Sequence, residues 1–315
     1  MNATAWGIQV LEVLAALAAA PLFLGWVNKC RAWLQNRSAP SLLLPYYGIR
    51  KLFHKDAVIA ETASPLFRAA PYIVFGAMVA AAAIIPSMGT RLPFTSAADA
   101  IALVGLLAVA RVFLSLAAMD IGTAFGSLGA RREMMIGFLA EPALLMIIFV
   151  ASLLSATTAL PLIAERLATQ ALGLYPSLAF TAVAFTMVLL AENARIPVDN
   201  PATHLELTMI HEAMLLEYSA RHLALMEWAA ALKLFNYACI GYALFIPWGV
   251  SVGARPLTLA AAIPVLALKL ALAGAGLALI ETVSAKLRVF RAPEFMATAF
   301  MFAVLGLLVH LLLGA

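Results

Sequence analysis

The sequence predicts an all-α membrane protein with about eight transmembrane helices plus an interfacial helix in the first cytoplasmic loop. Hydrophobic residues make up 64% of its 315 residues, charged residues only 11%, and the mean hydropathy is +0.99. Soluble domains contain about 45–50% apolar and about 25% charged residues. Apolar runs of about 20 residues, long enough to cross a bilayer as a helix, recur along the whole chain. We therefore expect residues 1–315 to form a single polytopic membrane domain.

The apolar runs place eight spans and seven connecting loops. We interpret the first span as retained, because no basic segment precedes it and no small-residue cleavage motif follows it. Cys30 and Cys239 are distant in sequence and the chain contains no CxxC, so we expect it to bind no metal, haem or iron–sulfur cofactor. The predicted spans are approximately 6–27, 69–88, 100–120, 135–158, 172–193, 223–248, 257–282 and 296–313.

The positive charges predict the orientation of the bundle. The odd-numbered loops contain 14 Lys and Arg residues, whereas the even-numbered loops contain three, Arg91, Arg166 and Arg255. Basic loops remain in the cytoplasm during insertion, so both termini are predicted to lie on the periplasmic side of a bacterial inner membrane. Membrane topology thereby explains the net charge of +4, and no nucleic-acid partner is expected.

The first loop contains an apolar stretch, from Leu42 to Phe53, that is too short to span the membrane. It lies beside Arg50, Lys51 and Lys55. Such a segment can lie in the membrane interface with its apolar side towards the lipid. It either anchors the bundle or forms a docking floor for another subunit or an amphipathic substrate.

Residues 191–221, AENARIPVDNPATHLELTMIHEAMLLEYSAR, concentrate charge between two apolar blocks. We predict a loop or helix on the cytoplasmic side. Pro201 can open a helix, which would place several residues along one stripe. We interpret this stripe as hydrated or facing a partner, because the intervals between its histidines do not fit two ligands of one ion and HEAML lacks the second histidine of HExxH. The stripe comprises His204, Thr208, His211, Leu215, Tyr218 and His222.

Ionisable residues inside the predicted spans form a second group of candidates. A charge at the bilayer centre costs about 2.5–3.5 kcal/mol, so each such residue is a functional candidate by default. If these residues and the fifth loop face a common interior, their acids and bases are suited to passing protons. Alternatively, they neutralise one another as buried pairs that fix helix register. The group comprises Arg111, Asp120, Glu141, Glu192, Glu227, Lys233, Lys269, Glu281 and His310.

The segment AENARIPVDNPATHLELTMIHEAMLLEYS resembles the signature of a membrane protein family shared by respiratory complex I and the membrane-bound group 4 nickel–iron (NiFe) hydrogenases. In the hydrogenases it is called formate hydrogenlyase subunit 4 or hydrogenase-4 component C. CRAWLQNRSAPS, SPLFRAAPY, GSLGARREM and Glu141 also match in the family's order. The SAPS sequence at 38–41 and the VDNP sequence at 198–201 match the hydrogenase branch and depart from the complex I pattern.

The resemblance implies a scaffold subunit whose cytoplasmic loops seat a soluble arm. That arm would hold the NiFe large subunit and an iron–sulfur small subunit, and antiporter-like subunits would lie beside the chain in the membrane. The chain would help to link electron transfer to proton or sodium translocation. The residues carried over by motif are Glu141, Glu192, Glu206, Glu217, Asp199, Arg132 and Arg195. Asp120, Glu227, Lys233 and Lys269 are added to this proton path from expected burial alone.

Three other functions stay open at the level of sequence. One is the quinone-site membrane subunit of a complex I-type NADH–quinone oxidoreductase. Another is a stand-alone secondary transporter, although the hydropathy shows no internal repeat or paired broken helices. The third is a purely structural anchor. In none of these do we expect the chain alone to be an enzyme.

Overall fold

The computed structural model describes residues 3–169, 175–199, 209–252, 256–285, 287 and 291–313. In this part of the chain the regular structure is helical, apart from two isolated β-bridges, which confirms the predicted all-α class. The α-helices are α1 (Ala3–Leu34), α2 (Leu44–Phe53), α3 (Pro65–Ile84), α4 (Ala100–Asp120), α5 (Ala124–Ser155), α6 (Leu160–Thr169), α7 (Pro176–Glu192), α8 (His211–Leu215), α9 (Ala220–Phe245), α10 (Pro256–Val283) and α11 (Ala292–Leu313).

Seven of these helices, α1, α3, α4, α5, α9, α10 and α11, are long and apolar enough to cross a membrane. The predicted fifth span corresponds to α7, an apolar helix that is shorter, with 17 residues. Helices α1 and α5 are longer than predicted, because α1 continues to Leu34 and α5 begins at Ala124. Each has 32 residues, or about 48 Å of helix, against a hydrocarbon core of about 30 Å. Their charged turns can therefore project beyond the lipid.

The odd-numbered loops meet at one end of the bundle, as the predicted alternation of spans and loops requires. The Val58 amide donates to Ser219 Oγ at 3.0 Å, which joins the first loop to the fifth. The Leu287 amide donates to the Pro197 carbonyl at 2.9 Å, which joins the seventh loop to the fifth. At the opposite end, the Thr90 amide donates to the Ser251 carbonyl at 3.1 Å and joins two even-numbered loops.

The spans form a continuous packed arc. Helix α1 packs between α10 and α9, α9 packs on α3, α3 on α4, and α4 on α5. Helices α7 and α11 pack on each other and on α5. Because α4, α5, α7 and α9 surround one interior region, polar side chains on these four helices are able to meet away from lipid.

The predicted interfacial segment forms the ten-residue helix α2, which packs against α9 and α1. Ile49 is buried, whereas Tyr47 and Phe53 are exposed. The chain entering α2 passes so close to α1 that a Cβ atom at Gly25 would collide with the carbonyl of Leu42. Gly25 therefore sets the position of α2 against the bundle.

Replacing Gly25 by alanine should lower the free energy of unfolding by about 1–3 kcal/mol, because the backbone at Leu42 must move to admit the methyl group. Gly276→Ala is the matched control, since a Cβ atom there meets nothing within 4 Å. Thermal unfolding of the purified protein in detergent measures the difference. Equal unfolding temperatures for the two variants would show that the close approach at Leu42 is not a constraint.

Candidate functional site

Arg111 of α4 lies at the centre of a buried group of charges. Its side chain is 6% exposed and contacts three carboxylates. Nε lies 3.3 Å from Glu133 Oε1, Nη1 donates to Glu141 Oε1 at 2.6 Å, and Nη2 donates to Glu192. Glu133 and Glu141 lie two turns apart on α5, and a Cβ atom at Gly137 between them would collide with the guanidinium. The missing side chain at Gly137 therefore lets Arg111 lie against α5.

Glu192 ends α7 and is held by two cations. Besides Arg111, Lys233 of α9 approaches it, with Nζ 2.9 Å from Oε2. An acid at a helix C-terminus is repelled by the partial negative charge of that terminus, so opposite charges must stabilise it. We call Arg111, Glu133, Glu141, Glu192 and Lys233 the Arg111 cluster.

His211 connects the fifth loop to this cluster. Its Nε2 lies 3.3 Å from Glu133 Oε2, and its Nδ1 lies 3.6 Å from Asp199 Oδ2. The same Asp199 oxygen accepts the amides of Ile210 and His211 at 3.3 and 3.2 Å. Burial lowers the pKa of His211, but the Glu133 carboxylate and Asp199 oppose this effect and the net pKa is raised.

A second group of charges lies nearby, where Glu281 of α10 is shared by two arginines. Arg195 Nη1 donates to Glu281 Oε1 at 3.1 Å, and Arg31 Nη1 lies 3.5 Å from Oε2. The Glu281 side chain is only 1% exposed. Burial lowers the pKa of Arg195, Glu281 opposes that effect, and the neighbouring Arg31 adds to it. This triad ties α1, α10 and the fifth loop together.

A cavity of about 440 Å³ lies between the two groups of charges. One side is apolar, with Leu24, Ile49, Val74 and Met78. Its volume and mixed lining fall within the range typical of small-molecule sites. The ionisable residues that line it are Arg31, Arg111, Glu133, Glu192, Arg195, His211, Glu212, Glu227 and Lys233.

The structure brings together some of the predicted site residues. Glu141, Glu192 and Lys233 belong to the Arg111 cluster, and Asp199 contacts it through His211. Arg195 and Glu227 line the cavity. Arg132 donates to the Met209 carbonyl at 3.0 Å and so holds the segment just before α8. Glu206 lies outside the described residues.

Three predicted residues lie apart from the cluster. Asp120 accepts the Ser64 amide at 3.0 Å and fixes the first loop. Glu217 is exposed in the turn between α8 and α9. Lys269 donates to the Ile246 carbonyl at 2.6 Å, at the C-terminus of α9 and the opposite end of the bundle. The Lys269 ammonium thereby satisfies a carbonyl at the C-terminus of α9 and caps that helix.

The prediction of a single stripe of histidines along the fifth loop is wrong. Among the described residues, α8 ends at Leu215 and α9 begins at Ala220, whose φ of 47° interrupts the helix. His211 therefore points to Glu133, whereas His222 lies on another helix and meets the ring of Tyr72 edge-on. His204 and Thr208 lie outside the described residues.

The proton path predicted from the sequence omits several residues that the structure places in or beside the cluster. Arg111 is among the cations expected inside the spans, and that signal identifies it without revealing its central position. Glu133 and His211 gain their roles from contacts between distant segments. Glu12 is absent from the predicted set although the first span contains it. It is buried at the other end, where its Oε1 accepts the Ser87 amide and hydroxyl at 3.1 and 2.7 Å.

The His211 contacts make stability depend on pH. Because its folded pKa is raised, the imidazolium stabilises the fold fully below the unfolded pKa of about 6.5, and this contribution is lost as pH rises through the folded pKa. We expect the unfolding-temperature difference between the wild type and His211→Gln to be larger at pH 6 than at pH 9. Thermal scans of the purified protein measure it. A constant difference across that range would contradict a charged His211.

Comparison with known proteins places the chain in a family. The NADH dehydrogenase family model matches residues 8–312, which is nearly the whole chain. The chain belongs to the NADH dehydrogenase family. Among the described residues, no group of three or more His, Cys, Asp and Glu side chains is arranged to hold a metal ion.

Two relatives of the chain come from Escherichia coli strain K12. The chain is 30% identical to formate hydrogenlyase subunit 4 over 297 residues, covering 94% of this chain and 96% of the relative. It is 33% identical to hydrogenase-4 component C over 242 residues, covering 76% and 74% of the two chains. A chain of the membrane-bound sulfane sulfur reductase, an archaeal respiratory membrane complex, has the same fold, with a TM-score of 0.81 and 22% identity over 96% of this chain and 98% of that chain.

Proposed function

We propose that this family member is the membrane-anchoring and coupling subunit of a membrane-bound NiFe hydrogenase complex of the formate hydrogenlyase or hydrogenase-4 type. Similarity to two such proteins over most of their length supports this assignment. The structural observation that supports the coupling role is the Arg111 cluster, in which buried acids share cations beside a cavity. Its host is a bacterial inner membrane, with both termini on the periplasmic side.

Residues 191–221, together with the first and seventh loops, form the seat of the soluble arm. These loops are joined by hydrogen bonds at one end of the bundle, where the basic residues concentrate. The arm contains the hydrogenase large and small subunits, and these hold the NiFe centre and the iron–sulfur clusters. Antiporter-like subunits pack beside this chain in the membrane and translocate the ion in response to electron transfer.

The coupling role follows from the chemistry of the cluster. Three carboxylates around one guanidinium, joined by Lys233, keep several ionisable groups within contact distance, and two of the acids, Glu133 and Glu192, are buried. Buried acids with cationic neighbours change their proton occupancy when the local charge changes. Electron transfer in an arm seated on this end is such a change. Glu141, whose side chain is 36% exposed, is the member most open to neighbouring subunits.

Glu141→Gln and Glu192→Gln test the coupling role. In everted membrane vesicles that contain the whole complex, hydrogen evolution should drive about tenfold less proton or sodium uptake in either variant, the size of effect that loss of a positioned acid or base commonly exceeds. The arm subunits should still co-purify. Glu165→Gln is the control, because that acid pairs with the exposed Arg91 at the other end of the bundle. Unchanged uptake in both cluster variants would favour an inert structural anchor.

A quinone-site role in a complex I-type oxidoreductase is the second candidate, and the 440 Å³ cavity with one apolar side supports it. Purified complex supplied with a short-chain quinone distinguishes the two functions. Quinone-dependent oxidation of hydrogen or NADH, abolished by a bulky substitution such as Met78→Trp in the cavity wall, would favour this candidate. Hydrogen evolution unaffected by quinone supports the hydrogenase role.

A further inference from the structure

His211 lies between Asp199 on the fifth loop and the Arg111 cluster, which it contacts through Glu133. The ring nitrogens lie 3.6 and 3.3 Å from the two carboxylates, so each faces a different acid. Its side chain is 17% exposed and lines the 440 Å³ cavity. The ring is therefore a bridge between the loop and the membrane interior.

We propose that His211 is the proton relay between Asp199 and Glu133, so that protons pass through its ring between the fifth loop and the Arg111 cluster. This role rests on the proposed coupling function. An imidazole exchanges protons at both ring nitrogens, and its charge changes near neutral pH. Arg111 cannot replace it, because a guanidinium keeps its proton in proteins. Arg111 instead positions Glu133 on the far side of the ring.

The transfer needs no change other than N–H and O–H bonds. A proton held by Asp199, whose side chain is 3% exposed, passes to Nδ1 and forms the imidazolium, leaving the aspartate ionised. The Nε2 proton then passes to the Glu133 carboxylate, which leaves a neutral ring and a carboxylic acid. The second step neutralises a positive and a negative group together. It therefore creates no net charge in the poorly solvated interior, where an isolated charge is costly.

The surrounding charges suit both states of the ring. The charged and titratable groups around His211 within the described residues are Glu133 and Arg132 from α5, Arg111 from α4, Lys233 and Glu227 from α9, Asp199 from the fifth loop and the adjacent Glu212. Asp199 and the three acids of the Arg111 cluster outnumber Arg111 and Lys233 by four to two, so an imidazolium moves the charge balance of this region towards neutrality. Proton transfer to Glu133 preserves that balance.

Everted vesicles containing the whole complex test the relay through proton uptake per hydrogen evolved. His211→Ala should lower this ratio about tenfold or more, as expected for loss of a positioned proton carrier. Millimolar imidazole should restore much of it, because the cavity beside His211 has room for a free imidazole ring. His211→Gln, which retains a polar side chain without a titratable proton, should show the same loss and no pH-dependent limb near pH 7.

His222→Ala is the matched control. His222 is a buried histidine of α9 that meets Tyr72 edge-on and belongs to no ion pair within the described residues. Its replacement should leave the ratio at the wild-type value, with or without imidazole. Comparison of the arm subunits that co-purify with each variant separates lost transport from lost assembly.

The outcomes separate the relay from the function on which it rests. If wild-type vesicles take up protons during hydrogen evolution and His211→Gln vesicles show the same ratio of protons to hydrogen, the relay is overturned. The proposed coupling function is then unaffected. Loss of the ratio in His211→Ala without rescue by imidazole, with the same loss in His222→Ala, would also overturn the relay and indicate a packing role. Wild-type vesicles that move no ion, or only sodium independently of pH, would overturn the relay together with proton coupling.

Discussion

Replacing Arg111 by glutamine is expected to destabilise the protein by about 3–5 kcal/mol, the range measured when one partner of a buried ion pair is removed. The substitution leaves Glu133 and Glu192, both at most 3% exposed, without the guanidinium that each contacts. Lys233 still reaches Glu192, but no other ion pair within the described residues gives Glu133 a permanent cation. The loss should therefore be felt mainly at the α4–α5 contact.

Thermal unfolding of the purified protein over a pH series measures this effect. The variant should regain part of its stability at acid pH, because protonated carboxyl groups no longer require a cation. Arg91→Gln is the control, since it breaks the Arg91–Glu165 pair, in which the arginine side chain is 61% exposed. Exposed pairs contribute little to stability. Similar shifts in the two variants would refute a special role for the buried guanidinium.

Replacing Glu281 by glutamine should have a comparable effect, about 3 kcal/mol, for the opposite reason. The change removes the carboxylate shared by Arg195 and Arg31 and leaves two positive charges close together. Arg195 is the more affected, because its side chain is 8% exposed against 26% for Arg31. The link between α10, α1 and the fifth loop should loosen.

Glu294→Gln supplies the control for this prediction. Glu294 lies exposed in the first turn of α11, so its loss removes only a weak interaction with the helix terminus. Urea or thermal unfolding of both variants in detergent, with the amount of arm subunits retained by the complex as a second measurement, gives the comparison. If the Glu281→Gln protein is as stable as Glu294→Gln, groups other than Glu281 balance the charges of the two arginines.

The candidate site is only partly predictable from the sequence. Arg111, Glu141, Glu192 and Lys233 are identifiable as costly charges within apolar spans, and the structure places all four in one cluster. Lys269 satisfies the same criterion, yet it caps α9 at the other end. A charge within a span indicates that a partner exists and does not say which partner. The contact between Glu133 and His211 joins segments 78 positions apart, so no local pattern reveals it.

Membrane class, the approximate number of spans, and the grouping of odd and even loops at opposite ends all follow from the order of the residues alone. Hydropathy and loop charge are sums over consecutive residues, so they can be read without knowledge of packing. The meeting of Arg111 with three acids, and of Glu281 with Arg195, 86 residues away, depends instead on how the helices pack. A helix that is apolar on all sides shows no preferred face in its sequence, so the rotation of each span is fixed only by the side chains against which it packs.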